Sequence, residues 1–344
     1  MTKKAKAGIA FTLALVLLAL RAVGPSLATA EVRLLQLGST TTVTTETAEG
    51  VLFDDKAWES GQPLDPSCGT HVSCFVSHPS VSATTTIEAK PGSTRKTADY
   101  NVKHHVATAD GTNLFDAADK VTLVRHSSIP VDEPLDSLES QSPLPGFTHH
   151  TTEQIRDGLQ YTFPFATEFR SYRYFDIYSA TTTPIDFHDK ETLRGHTVYR
   201  FNQKIAPVQL QIGGIKGAAN QFYDPQEITE QGLAAASTVV MNQYYSMTRT
   251  LWVEPKTGTI IDSVEIPHIF LARDAVEAAR VQPDSPRTLF RATLRWDEDT
   301  RAHMWQQADE HLNLLHWVSV SLLLATAASA GLIVLGIYFL RRQD

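Results

Sequence analysis

Two long runs of the chain are apolar, and between them hydrophobic and polar residues alternate with period two. The first run, Gly8 to Leu20, follows a basic head of Lys3, Lys4 and Lys6. The second, Trp317 to Leu340, contains no charged residue and is followed at once by Arg341 and Arg342. It is long enough to cross a bilayer with some tilt, and Trp317 and Tyr338 sit near its ends, where aromatic rings favour the interface. Between the runs, alternation predicts antiparallel strands at Val81–Ala89, Tyr100–Thr108 and Lys120–His126, punctuated by Pro91-Gly92 and Asp110-Gly111. A second β block runs through Gln160–Phe165, Phe169–Asp176, Pro184–His188 and His196–Asn202. The clearest local signal is a hairpin: Ser246–Glu254, the turn Pro255-Lys-Thr-Gly258, then Thr259–Glu265. Its first strand puts Thr248, Thr250, Trp252 and Glu254 on one face and Met247, Arg249, Leu251 and Val253 on the other.

Breaks in the pattern suggest the organisation. Pro130, Pro134, Pro143 and Pro145, among acids and serines, mark 129–147 as a linker or long loop. The small, Gly-rich stretch 212–236 reads as an irregular excursion, Thr148 to Thr152 as a solvated loop, and Leu271 to Val281 as helix. Glu298 to His316 reads as a helix running into the second apolar run. The expected architecture is mainly β (α+β). An antiparallel β-sandwich or curved-sheet extracytoplasmic domain is flanked by N- and C-terminal transmembrane helices. Residues 1–30 form a cytoplasmic tail and N-terminal span, 31–311 the β domain, one body or two halves joined near 129–147, and 312–344 the C-terminal span and tail. The N-terminal run has two readings. Ala28-Thr29-Ala30 offers a signal-peptide cleavage pattern, and Ala22 to Leu27 can instead lengthen the run into an uncleaved anchor. Basic residues outside both runs place both tails in the cytoplasm and the main domain outside the cell membrane.

Charge narrows the partners. Of the 30 basic and 38 acidic residues, six basic and one acidic lie in the tails, which leaves the stretch 31–316 at −13. That argues against nucleic acid and against charge-driven binding to an anionic membrane surface. The two cysteines, Cys68 and Cys74, are spaced for a local disulfide in an oxidising compartment; a metal site with His71 would lack a further ligand pair. No sequence motif for a nucleophile, a zinc site or a phosphate-cradling loop is present. His104-His105 and His149-His150 are adjacent pairs that a strand would point to opposite faces, so neither chelates one metal readily. No cofactor is expected, and the protein is read as a non-enzyme. In Arg170–Asp176 the aromatics read as core, with sugar stacking by Tyr172, Tyr174 or Phe175 as the sharper alternative.

Two segments carry a resemblance. Phe163–Asp176 with Leu193–Phe201, and Thr250-Leu-Trp-Val-Glu-Pro-Lys-Thr-Gly-Thr-Ile-Ile-Asp262, are similar to blocks of the actinobacterial envelope family labelled porin PorA, formerly a domain of unknown function. The arrangement of span, β-rich domain and span is similar too, over most of residues 8–342, and it favours the uncleaved anchor. Two apolar helices supply the anchoring, so the β domain is not expected to cross a bilayer as a barrel. The resemblance then implies glycolipid or lipoglycan trafficking, or envelope assembly, in mycolate-rich actinobacteria. The hairpin also resembles one in periplasmic lipid carriers. On this reading Phe163, Phe165, Tyr172, Tyr174, Leu251 and Val253 line a lipid or glycolipid groove, and an inner-membrane transporter or glycosyltransferase is the partner. A scaffold acting through its helices and an envelope hydrolase or transferase are the alternatives.

Overall fold

The computed structural model describes residues 3–32, 35–144 and 147–341. The chain divides into a β-rich unit, 36–304, and a helical unit made of 1–35 and 305–344. In the β unit, the described residues form two antiparallel sheets. The first contains β1 (Ser39–Thr44), β2 (Ala48–Glu49), β5 (Ser80–Pro91), β6 (Thr97–Thr108), β7 (Asn113–Val124), β8 (Asp136–Gln141) and β9 (His149–Gln154). The second contains β3 (Val51–Phe53), β4 (Val76–Ser77), β10 (Tyr172–Asp176), β11 (Thr181–Leu193), β12 (His196–Ala218), β13 (Thr238–Glu254), β14 (Thr259–Ala272), β15 (Thr288–Arg291) and β16 (Leu294–Arg295). Strand order is β1-β5-β6-β7-β8-β9 in the first sheet and β10-β11-β12-β13-β14-β15-β3-β4 in the second; β2 pairs with β5 and β16 with β14.

Period-two patterning accounts for the inward faces. On β6, Ala98, Tyr100, Val102 and Val106 are buried; on β7, Phe115, Ala117, Val121 and Leu123. On β13 the buried row is Met247, Arg249, Leu251 and Val253, as the hairpin's alternation requires. Residues from both sheets meet in one core, with Val81, Val106, Phe115 and Leu138 from the first and Phe175, Ile205, Tyr245, Met247 and Ile269 from the second. The turn after β13 is fixed by Gly258. Its φ is +75°, and a Cβ there would come within 2.2 Å of the Phe163 carbonyl oxygen.

Four local expectations change. Residues 212–218 lie within β12 and not in an excursion: after a register shift between Gln211 and Ile215, Ile215 to Ala218 pair with β13 as far as Ala218↔Thr238, because the partner strand supplies a ladder that the small side chains do not specify. Only beyond Ala218 does the chain leave the sheet, through helix α3 (Pro225–Glu230). Leu271 is the end of β14, paired with Gln243, and helix is confined to the single turn α4 (Ala275–Ala278). The Thr-rich segment after His149 is strand β9, since it finds β8 as partner. The proline-rich stretch holds β8 at its centre, and residues 145 and 146 lie outside the described part. A short helix, α2 (Asp55–Ser60), is capped by the Asp54 carboxylate and closed by Gly61.

The helical unit holds α1 (Lys3–Val32) and most of α5 (Glu298–Arg341). Among the described residues α5 is the one helix long and apolar enough to cross a membrane; the apolar part of α1, Ala5–Ala19, is shorter. Leu323, Leu324 and Val334 are exposed, as lipid-facing residues would be. Ala7, Ala10 and Ala14 form the buried stripe of α1, and the Phe11 ring packs where a side chain at Gly336 of α5 would sit. The small residues let the backbones approach closely.

Candidate functional site

Polar chemistry is concentrated between the sheets of the β unit, where apolar residues would be expected. Strand register creates its first part. Gln203 on β12 lies opposite Arg249 on β13, which lies opposite Glu265 on β14, so one inward row carries three polar side chains. The buried Arg249 guanidinium donates from Nε to Glu265 (2.7 Å), from Nη2 to Asp176 (2.9 Å) and from Nη1 to the Gln203 side-chain oxygen. The second Asp176 oxygen accepts from the Tyr245 hydroxyl (3.0 Å) and from the Ser179 amide (2.9 Å) and hydroxyl (2.8 Å). Gln203 in turn donates to the Thr183 hydroxyl (2.8 Å) and the Tyr174 carbonyl (3.1 Å). Burial alone would pull the Arg249 pKa down, but Glu265 and Asp176 outweigh it and hold the group well above its usual range. Burial, followed by the Asp176 charge, pushes the Tyr245 hydroxyl well above its ordinary value.

A second centre is built around Arg156. Its Nη1 and Nη2 grip both oxygens of Asp119 at 2.9 and 2.6 Å, and both side chains are fully buried. This two-point geometry suits the planar guanidinium. Gln160 accepts from Nη1 (2.9 Å), the Tyr161 hydroxyl donates to Asp119 (2.5 Å), and the guanidinium lies 4.1 Å from the Phe175 ring centre. Asp136 accepts the Thr122 amide at 2.9 Å; burial raises its carboxyl to about 6 against that hydrogen bond. Next to the Arg249 row a cavity of about 110 Å³ opens between the sheets, bordered by His104, Tyr161, Tyr174, Arg249, Glu265 and Trp296. His104 is held by the Thr85 hydroxyl (2.7 Å) and the Tyr178 hydroxyl (2.9 Å), and burial lowers it to about 4.

These groups are matched to one another. Arg249 is held through all three of its nitrogens by Glu265, Asp176 and Gln203, and Arg156 through Nη1 and Nη2 by Asp119 and Gln160, its buried Nε being left without a partner among the described residues. Among the described residues no cluster of three or more His, Cys, Asp or Glu side chains could hold a metal ion. The Arg249 network ties β10, β12, β13 and β14 of the second sheet to one another, the Arg156 centre ties the segment after β9 to β7 of the first, and nothing in either resembles a nucleophile with its base.

The residues singled out from the sequence fall elsewhere. Phe163, Tyr172, Tyr174, Leu251 and Val253 are buried together with Ile185, Phe201 and Ile260 in one aromatic cluster. The Phe163 and Phe201 rings are 4.8 Å apart and tilted. Tyr174 and Leu251 also border the inter-sheet cavity, whereas Phe165 is half-buried and lines an open groove on another side. Cys68 and Cys74 form a disulfide, with Cα atoms 5.6 Å apart. The adjacent histidines do point apart. His104 faces inward, while His105 reaches Asp116 at 2.6 Å on the surface. His149 contacts the Tyr178 carbonyl and His150 approaches Glu139. Sequence reasoning passed over Arg156, Asp119, Asp176 and Glu265. The available signal was a charged residue on the apolar face of an alternating strand: Arg249 between Met247 and Leu251, and Asp119 between Ala117 and Val121.

Among the described residues, the chain combines a mainly β unit with one helix long and apolar enough to cross a membrane. The Porin PorA family matches residues 7–338, and the chain belongs to that family. It is similar to Porin PorA of Corynebacterium amycolatum, at 26% identity over 332 residues, covering 83% of this chain and 85% of that protein. It is similar also to Porin PorA of Corynebacterium resistens, at 27% identity over 343 residues, covering 80% and 81%. The resemblance read from the two sequence blocks is thus borne out, and the protein is a membrane protein of the cell envelope. The function attached to it is corrected. Family and relatives carry the description porin, a class of channels, which overturns glycolipid trafficking or envelope assembly; the scaffold and hydrolase alternatives fit no better. The error came from taking the helical anchors as proof that the protein itself makes no passage. The expected transporter or glycosyltransferase partner was tied to that function and has no support.

Proposed function

We propose that this chain is a channel-forming envelope protein that passes small hydrophilic solutes. The observation that carries the reading is the family match across residues 7–338. In this reading α5 spans the membrane and α1 is a second, shorter apolar span against it. Lys3, Lys4, Lys6, Arg341 and Arg342 hold both ends in the cytoplasm. Residues 36–304 form a β-sandwich outside, its two sheets face to face. Apart from the cavity of about 110 Å³, the space between those sheets is filled by side chains, so the passage lies between copies of the chain and not through one of them. The test is reconstitution of the full-length protein into planar bilayers. Discrete conductance steps are expected. Because the stretch 31–316 carries −13, cations gather near the mouth and the conductance favours them over anions at low salt. Bilayers that stay silent, with insertion verified by protease protection, overturn the reading.

A further inference from the structure

A second feature of the β unit lies away from the inter-sheet polar centre. Segments around Ser127, Asp157 and Pro164, with the start of β10, enclose an open groove of about 460 Å³. Its apolar surface comes from Ile129, which is 50% exposed, and from Phe165 and Pro164. Its polar surface is two ion pairs: Arg170 Nε with Glu168 (2.8 Å), and Arg173 Nε with Asp157. All four side chains are more than half exposed; Arg170 Nη1 also donates to the Ser171 carbonyl (3.3 Å), and each side chain keeps polar surface open to solvent beyond its pair.

We propose that this groove binds a neutral oligosaccharide, with sugar faces against Phe165 and Ile129 and hydroxyls on the Glu168–Arg170 and Asp157–Arg173 pairs. Four observations lead there. The two acids and two bases cancel, so the groove favours neither a polyanion nor a polycation. Planar groups with several donors or acceptors, arranged around an apolar patch, match vicinal hydroxyls around an apolar sugar face. The Arg170 guanidinium lies 4.3 Å from the Tyr172 ring centre, and Tyr172 is itself locked by the Glu168 amide at 2.8 Å. The binding group is therefore positioned before the ligand arrives, which lowers the ordering cost. Finally, a peptide strand has no ladder to join here. The free side of β10 is already taken by Leu159, through Leu159 N–H to the Arg173 carbonyl and Phe175 N–H to the Leu159 carbonyl.

The groove's walls also hold uncommon backbone. Ala166 has φ +56° and Ser128, between two groove-lining residues, has φ +59°; both are left-handed positions without glycine. Gly158 has φ +96°, and a Cβ there would sit 3.0 Å from the Arg173 carbonyl oxygen. Such conformations concentrate at sites where surrounding structure holds a binding geometry in place.

The test uses the full-length protein in detergent, titrated by calorimetry and NMR with neutral gluco-, galacto-, manno- and arabino-configured hexasaccharides. An acidic hexasaccharide and an uncharged hexapeptide serve as competitors. At least one neutral sugar is expected to bind, with an affinity that changes little with salt because no net charge is matched. Ile129→Ser and Arg170→Ala, both at exposed positions, should each weaken it by about tenfold while leaving the melting curve in place. No binding of any neutral sugar overturns the proposal. So does binding that both variants leave intact, or a preference for the acidic sugar or the peptide. None of these outcomes bears on conductance, so the proposal stands or falls apart from the channel reading.

Discussion

Arg249 is the residue on which the β unit most depends. Its charge is buried, and it joins Asp176 and Glu265, which are otherwise 73 and 16 residues away. Arg249→Met fills similar volume but leaves two carboxylates without their cation. The expected loss is about 3–5 kcal/mol, read from urea denaturation midpoints. The titrating residues predict a pH profile. Burial lowers His104 and His268 to about 4 from an ordinary 6.5, so the unfolded chain takes up protons in that interval and the folded one does not. Their stabilisation is complete above pH 6.5 and is lost as pH falls toward 4. Asp136, raised by burial from 3.8 to about 6, acts in the opposite sense: its stabilisation is complete below 3.8 and is lost as pH rises through 6. Two histidines outweigh one aspartate, so the melting temperature should fall between pH 6.5 and 4. His104→Gln should make that slope shallower in a thermal scan series. None of these roles can be read from single positions. The sequence placed Arg249 on the apolar face of its strand, but the partners that stabilise it there are set by strand register.

Among the elements, the β13–β14 hairpin was the most legible. Its alternation, its Pro-to-Gly turn and its two faces are all local properties, and the ladder runs from Glu254↔Thr259 to Asn242↔Ala272. Gly258→Ala tests the turn. A methyl group would meet the Phe163 and Pro164 carbonyl oxygens at a positive φ, and a destabilisation of more than about 1 kcal/mol is expected by chemical denaturation. The Cys68–Cys74 bridge closes a loop only six residues apart in sequence, so its effect on the whole is limited. Replacing both cysteines with serine should cost about 2 kcal/mol and lower the melting temperature by a few degrees without abolishing folding. Elements with weak local patterns were misread for one reason. Residues 212–218, 149–154 and 271–272 have little strand signal of their own and became strands because a neighbouring strand offered them its unpaired backbone groups.

For the whole molecule, the two sheets of the β unit share one core, with Phe115, Phe147, Tyr178 and Tyr245 in mutual ring contact. Opening one sheet exposes the inner face of the other. Differential scanning calorimetry of the full-length protein should therefore give one cooperative transition for this unit, not two. What the sequence determined alone was whatever depends on neighbours within a few positions. That covers the strand periodicity, the hairpin turn, the uninterrupted apolar run of α5, the acidic balance of the middle, and the blocks that mark the family. What the tertiary structure decided was which rows came to face each other. It enclosed Phe163, Tyr172 and Tyr174 in a core, buried Arg156 on Asp119 and Arg249 on Asp176, and drew segments near 128, 158 and 166 around one groove. The physical reason is range. Side-chain alternation and turn chemistry act through adjacent peptide units, whereas burial and ion pairing depend on contacts between strands far apart in the chain.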